Sequence, residues 1–374
     1  MKRYPAYDPP EYVTWAPDDE ALRDFQATID RDAERRARIA RLSDDELLSL
    51  YRGLVRNRLT DIALKRFVRQ GVISKAWLGT GEEAATIGPV HALRRSGDDH
   101  DYIAPMIRNG GACHEMGMPV ADILRAYMGT GDSPSRGRDG HYGDWSRGIL
   151  PPISNVGDVV PVTTGIALAI RQRGGDQVAM TWIGDGSTKA GVTHEGFNLA
   201  AVRRVPAVFI IQNNQVALGT RLDQHHVRAG HGNFADWPRA YGMWGGVFNG
   251  NNVLDAWALS AIAVERCRRG DGPALLVAET FRMGGHATHD EAEARKTFDG
   301  ELFRRWGQRD PIGMYEAWLL DRGVPADALR AAEDEVQREV DAAQEAALAS
   351  RQARMPAPAS ALGGVYDGAS ETRS

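Results

Sequence analysis

The chain has 374 residues with 45 Lys and Arg against 50 Asp and Glu, a formal charge of −5, and 43% hydrophobic and 25% charged residues. That balance leaves no basic footprint for nucleic-acid phosphates, and apolar runs such as 205–212 and 274–278 fall far short of the roughly 20 residues of a membrane span. Two cysteines, Cys113 and Cys267, exclude a disulfide framework and a four-cysteine zinc site, and positions 1–20 are proline-bearing and acidic where a secretory leader is apolar, so a soluble cytoplasmic protein is expected.

In chain order, residues 1–42 read as an arm, first proline-rich and aromatic, then charged, that needs another surface to lie on. From Ser43 the sequence SDDELL opens a long amphipathic helix to about residue 70, with Ser43 as N-cap and Glu46 completing a capping box. A glycine-bearing loop, LGTGEE at 78–83, leads into a small-residue helix near 84–93. Residues 132–152 carry Gly, Ser, Arg and Pro without periodicity, which predicts a long surface loop. Strand candidates at 177–183 (QVAMTWI), 206–212 (PAVFIIQ) and 274–280 (ALLVAET) alternate with helices at 194–204 and 253–268. That alternation predicts βαβ units, hence an α/β fold with a parallel sheet flanked by helices and strands apolar on both faces. Residues 311–354 read as helices and the tail from 356 as Pro-, Gly- and Ser-rich. The domain reading is therefore an arm at 1–42, an α/β domain at 43–310, and C-terminal helices and tail at 311–374.

Glycine is enriched, 41 of 374 residues or about 11%, against an average of roughly 7%. The most informative cluster follows the strand at 177–183, which runs into Gly184-Asp185-Gly186, while the next strand runs into Asn213-Asn214. The 26 positions between are about one crossover, so neighbouring strands deliver Asp185 and Asn214 to the same edge, beyond their carboxyl ends, where open α/β sheets bind ligands. A bare carboxylate there repels a phosphate; a hard divalent cation between the two removes the conflict. Asp185, the Asn214 side-chain oxygen and a nearby backbone carbonyl supply three protein oxygens, and diphosphate oxygens and water complete an octahedron. Each dipeptide alone is an ordinary turn former; the pair at this spacing after two apolar strands is not.

The Gly-Asp-Gly…Asn-Asn pattern is the thiamine diphosphate–Mg²⁺ motif, and IGDGSTKAGVTHEGFNLAAVRRVPAVFIIQNN resembles the alpha subunit of the decarboxylating component of 2-oxo acid dehydrogenase complexes, the pyruvate and branched-chain family. The resemblance runs from about residue 47 to the tail and implies the thiamine diphosphate-binding fold. It implies Mg²⁺ on Asp185, Asn214 and the Val216 carbonyl. Gly184, Gly186 and Ser187 then approach the diphosphate, and Arg108 in DYIAPMIRNGG binds it. Ser154 and Val156 hold the aminopyrimidine, and Gln212 falls where some members place an arginine reaching the cofactor. His286 in TFRMGGHATHD matches the histidine of the active-site loop, a catalytic and cofactor-facing residue, and Gly81-Glu82-Glu83-Ala84 matches the family's helix start. The implied activity is oxidative decarboxylation of a 2-oxo acid, with the acyl group passed to the lipoyl group of an acyltransferase. Four departures from the pattern concern the pocket and regulation: Ile107, Trp77, Asp158–Val159, and Ala287 where a phosphorylatable serine is common.

The family activates its cofactor with a glutamate from a second, pyrimidine-binding half. Only about 160 residues follow the Asn-Asn motif, so the resemblance implies a beta subunit and an α2β2 heterotetramer, on which the arm and the tail segment 362–367 pack. Other readings remain open: an acetoin dehydrogenase-like alpha subunit, a non-catalytic cofactor-binding scaffold, or a metal hydrolase using His225, His226 and His231 or His286, His289 and Asp290. Neither histidine group has the His-Glu-x-x-His arrangement, and Gly184, Gly186 and Gly191 do not make the dinucleotide spacing.

Overall fold

The structure, a computed structural model, describes residues 1–227 and 234–362. Five parallel strands form one sheet: β1 (Tyr102–Ala104), β2 (Ala179–Gly184), β3 (Ala207–Asn213), β4 (Trp244–Asn249) and β5 (Ala274–Glu279), in the order β1-β2-β3-β5-β4. The predicted α/β class and parallel sheet are therefore present, with β2, β3 and β5 within about two residues of their expected positions.

Alternation along β3 shows why its residues are apolar throughout. Val208 and Ile210 pack with Ala85, Val90, Leu259 and Ala263, which lie on α2 (Glu83–Val90) and α5 (Val253–Arg268). Ala207, Phe209 and Ile211 face the other way, onto Val160, Phe197 and Ala200 of α3 (Val159–Gln172) and α4 (Gly191–Val202). Both faces are dry, as a parallel sheet built from crossovers requires.

A helical layer covers one side. Its axis is α1 (Asp44–Arg69), whose Ser43 side chain accepts from the Glu46 backbone while the Glu46 carboxylate accepts from the Ser43 backbone, the predicted capping box. Leu50, Leu54 and Phe67 of α1 share a core with Ile312 and Leu319 of the helix Pro311–Asp321 and with Val336 and Val340 of the helix Ala326–Ala353.

The arm packs on this body. It forms helices Asp19–Asp30 and Ala33–Ile39, each opened by an aspartate side chain that caps it, Asp18 and Asp32. Phe25, Ile29 and Ile39 join the α1 core. The Met1 ammonium pairs with Glu316 and Glu333, and the fully buried Arg58 holds Asp8, Glu83 and Asp310 at once. The tail segment 363–367 lies outside the described residues. No helix among the described residues is long and apolar enough to cross a membrane.

Candidate functional site

Register decides where the acidic turn and the paired asparagines come to lie. Gly184 pairs with Gln212 as the last rung between β2 and β3, so Asp185 and Asn214 leave adjacent strands at the same edge. After β2 the backbone enters a short turn, Gly186–Lys189, in which the Asp185 carbonyl accepts from the Thr188 hydroxyl at 2.5 Å. Gly186 passes so close to Ala217 that an added Cβ would stand 2.7 Å from the Ala217 Cβ, which binds the turn to the segment after β3. Gln215 adopts φ +71°, uncommon for a side-chain-bearing residue, and folds that segment back into a two-stranded hairpin at Val216–Ala217 and Thr220–Arg221.

Asp185 is 1% exposed, and its Oδ2 has no hydrogen-bond partner among the described residues. The His225 Nε2 lies 3.3 Å from it without forming a hydrogen bond. A buried carboxylate oxygen left in that state is costly unless a cation completes it. Among the described residues the Asn214 Oδ1 accepts one long bond, from the Val216 N–H at 3.3 Å. The Val216 carbonyl accepts from Arg282 at 3.3 Å and retains a second lone pair. This donor set, one carboxylate, one amide oxygen and one carbonyl, suits a hard divalent cation.

Two buried guanidinium groups stand at the same edge of the sheet. Arg108 follows β1 and is 7% exposed; one Nη lies 3.4 Å from Glu82 Oε2 and the other donates to His286 Nδ1 at 3.2 Å. Arg282, just past β5, is 3% exposed and donates to the carbonyls of Val216, Leu218 and Gly284, with no carboxylate in ion-pair contact among the described residues. Burial, aided by the charge of Arg108, pushes its pKa down to about 10, so it stays cationic at neutral pH. A buried cation held only by carbonyls offers its charge to an anion. Arg282 lies inside TFRMGGHATHD, where the resemblance singles out only the histidine.

His286 is carried on a tight loop. Asp290 accepts from the His286 and Ala287 N–H groups at 3.0 and 2.8 Å. Gly285 allows that wrap, because a Cβ there would lie 2.6 Å from the Asp290 carboxylate and from the Ala287 carbonyl. Burial first, then the charges of Arg108 and Arg282, push the His286 pKa down to about 4. The imidazole is thus neutral at pH 7. Its Nδ1 accepts from Arg108, which leaves Nε2–H as the donor.

The glycine loop 78–82 brings these segments together. A Cβ on Gly79 would meet the Arg108 carbonyl at 2.6 Å, and one on Gly81, at φ +97°, the Phe281 carbonyl at 2.5 Å. Glu82 then reaches the centre of the site. Gln212 lies beside it, fully buried, donating to Glu82 at 2.6 Å and accepting from Asn109 at 3.0 Å. Both ends of its amide are used within the chain, so Gln212 braces the site from behind.

Ser154 and Val156 stand apart, exposed on the segment 151–157, with the Ser154 hydroxyl 3.0 Å from His141 Nε2. Gly157 seats that segment against Thr193 and Ala190, next to the turn after β2. Ile107 and Trp77, two of the departures, line one small cavity with Asp61, Tyr127 and Arg108. Ala287 is buried. The described residues contain no group of three metal-ligating His, Cys, Asp or Glu side chains, so the hydrolase reading lacks a site among them; His231 lies outside them.

The family model described as "Dehydrogenase E1 component" matches residues 51–356. The chain is 32% identical over 329 residues to the 2-oxoisovalerate dehydrogenase subunit alpha of Bacillus subtilis (strain 168), covering 87% of this chain and 96% of that one. It is 32% identical over 290 residues to the 3-methyl-2-oxobutanoate dehydrogenase subunit alpha of Mycobacterium tuberculosis (strain ATCC 25618 / H37Rv), covering 76% and 73%. It is 29% identical over 302 residues to the pyruvate dehydrogenase E1 component subunit alpha of Rhizobium meliloti (strain 1021), covering 80% and 84%.

Proposed function

The chain belongs to the dehydrogenase E1 component family, and we propose that it is the alpha subunit of a 2-oxo acid dehydrogenase, an oxidoreductase that decarboxylates a branched-chain 2-oxo acid or pyruvate and passes the acyl group to a lipoyl group. The observation that carries the reading is the unpartnered, buried Asp185 Oδ2, set beside Asn214 at a sheet edge that also holds two buried arginines. That combination calls for a cation and an anion together, as Mg²⁺ and a diphosphate provide.

In this reading Asp185, Asn214 and the Val216 carbonyl hold Mg²⁺, and Gly184, Gly186 and Ser187 admit the diphosphate to the turn. Arg108 neutralises it, and Arg282 adds a second positive charge at the same place. When bound, thiamine diphosphate supplies the carbon nucleophile and the electron sink for decarboxylation. His286 acts as a neutral donor through Nε2–H, able to stabilise charge on a substrate oxygen, while Arg108 fixes its tautomer. Ser154 and Val156 offer an open rim for the aminopyrimidine, which a beta subunit carrying the activating glutamate covers from the other side; an α2β2 heterotetramer accounts for that geometry. The two relatives named for branched-chain acids favour that substrate class over pyruvate.

The test is turnover by the chain co-expressed with its complementary subunit and a lipoyl acceptor, read as decarboxylation of 3-methyl-2-oxobutanoate and of pyruvate and as carbon–carbon cleavage of acetoin, which has no carboxyl group to lose. Turnover of the branched acid above the others is expected, and absent from the chain alone. Silence on every 2-oxo acid would make the chain a cofactor-binding scaffold, and turnover of acetoin alone would move it to that class.

A further inference from the structure

We propose that Glu82 is a positioning residue that dictates which end of the Asn214 amide faces the cation, and so sets the chain's affinity for Mg²⁺. The inference rests on the reading of Asp185 and Asn214 as cation ligands.

Glu82 is fully buried and stands at the start of α2, where its side chain makes no capping bond to that helix. Instead, its Oε1 accepts from Asn214 Nδ2 at 2.9 Å and from Gln212 Nε2 at 2.6 Å, while Oε2 faces Arg108. A carboxylate can only accept. Against it Asn214 has one choice, to present its NH₂ and turn Oδ1 away. Oδ1 is the atom a hard cation requires. With the amide reversed, two oxygens would confront each other across a dry gap, and an N–H₂ would be aimed at the cation.

The carboxylate is itself held in place. Gln212 Oε1 accepts from Asn109 Nδ2 at 3.0 Å, and the same Asn109 nitrogen reaches the Thr86 hydroxyl at 2.7 Å. The amide series thus runs from α2 and the segment after β1, through the end of β3, to the cation ligand. Buried partners of this kind fix ligand orientation, and their removal typically weakens a metal about 10- to 100-fold.

The experiment titrates MgCl₂ by calorimetry into the full chain with its partner subunit at saturating thiamine diphosphate, with no turnover involved. Glu82→Gln keeps size and removes the dictation, since a glutamine can oppose either end of Asn214; a loss of Mg²⁺ affinity of about tenfold or more is expected. Glu82→Asp, which keeps the charge but shortens the reach, should lose affinity in the same direction and serves if the glutamine variant does not fold. Asn214→Asp alone sets two carboxylates face to face and should also bind Mg²⁺ poorly. Combined with Glu82→Gln it should recover above either single variant, because the new amide can donate to the new carboxylate. A merely structural glutamate predicts losses that add. Wild-type Mg²⁺ affinity in Glu82→Gln, or additive losses in the double variant, would overturn the proposal. Asp185→Ala run alongside separates the two levels: if it abolishes Mg²⁺ binding while Glu82→Gln does not alter it, only the role of Glu82 falls; if it changes nothing, the ligand reading falls with it.

Discussion

His286 owes its chemistry to what surrounds it. In an unfolded chain an imidazole titrates near 6.5; here burial, Arg108 and Arg282 lower it to about 4. Between those values the unfolded state binds the extra proton and the native state does not, so native stability falls as the pH drops from about 6.5 through about 4. A histidine-resolved NMR titration of the cofactor-free protein should place the His286 midpoint near 4, and His286→Asn should flatten the acid side of the stability curve. A midpoint near 6.5 would make it an ordinary solvated loop histidine. Asp185 and Asn214 were legible in the sequence because each directly follows an apolar strand and the spacing between them is one crossover. Glu82 and Arg282 are not legible there, for a physical reason: the bonds of Glu82 to Gln212 and Asn214 span 130 and 132 positions, and those of Arg282 to Leu218 and Val216 span 64 and 66. No local pattern records a contact of that span.

At the scale of elements, α1, α5 and the central strands were readable because they follow strong periodicity or carry caps. β4 was not. Its sequence WGGVFN has poor strand propensity, yet Gly245 is what seats it, since a Cβ there would stand 1.9 Å from the Leu275 carbonyl. α3 begins just after a glycine turn and contains Thr163, Thr164 and Gly165, which mask a helix that packing enforces. The arm needs another surface to lie on, and its own chain supplies one. Tyr12 is fully buried among Val216, Phe281, Met283 and Phe303, with the Arg58 guanidinium 4.6 Å from its ring centre. Glu11 pairs with Arg295 on the helix Glu291–Thr297 that follows the His286 loop. The arm therefore backs the active-site loop. Tyr12→Ala should cost about 3–5 kcal/mol, by comparison with other buried aromatic truncations, lower the melting temperature, and raise amide exchange across 283–297. Unchanged exchange there would make the arm a passive cover.

Across the whole molecule, the sheet does for function what no single element does. Parallel strands end together, so residues far apart in sequence meet at one edge: Arg108 after β1, Asp185 after β2, Asn214 after β3 and Arg282 after β5. The sequence carried the order of the three central strands with the helices between them, and the acidic turn. It did not carry the arm's destination, because burial of Tyr12 and Arg58 exists only once β3, β5 and α1 are assembled. All of the described strands belong to the one sheet and the small hairpin. The central claim is that a divalent cation joins Asp185 to a diphosphate, and calorimetric titration of thiamine diphosphate, with and without Mg²⁺, into wild type and Asp185→Ala tests it most directly. Saturable binding only with Mg²⁺ and only in the wild type is the predicted result; equal affinity without the metal, or in the variant, would contradict it.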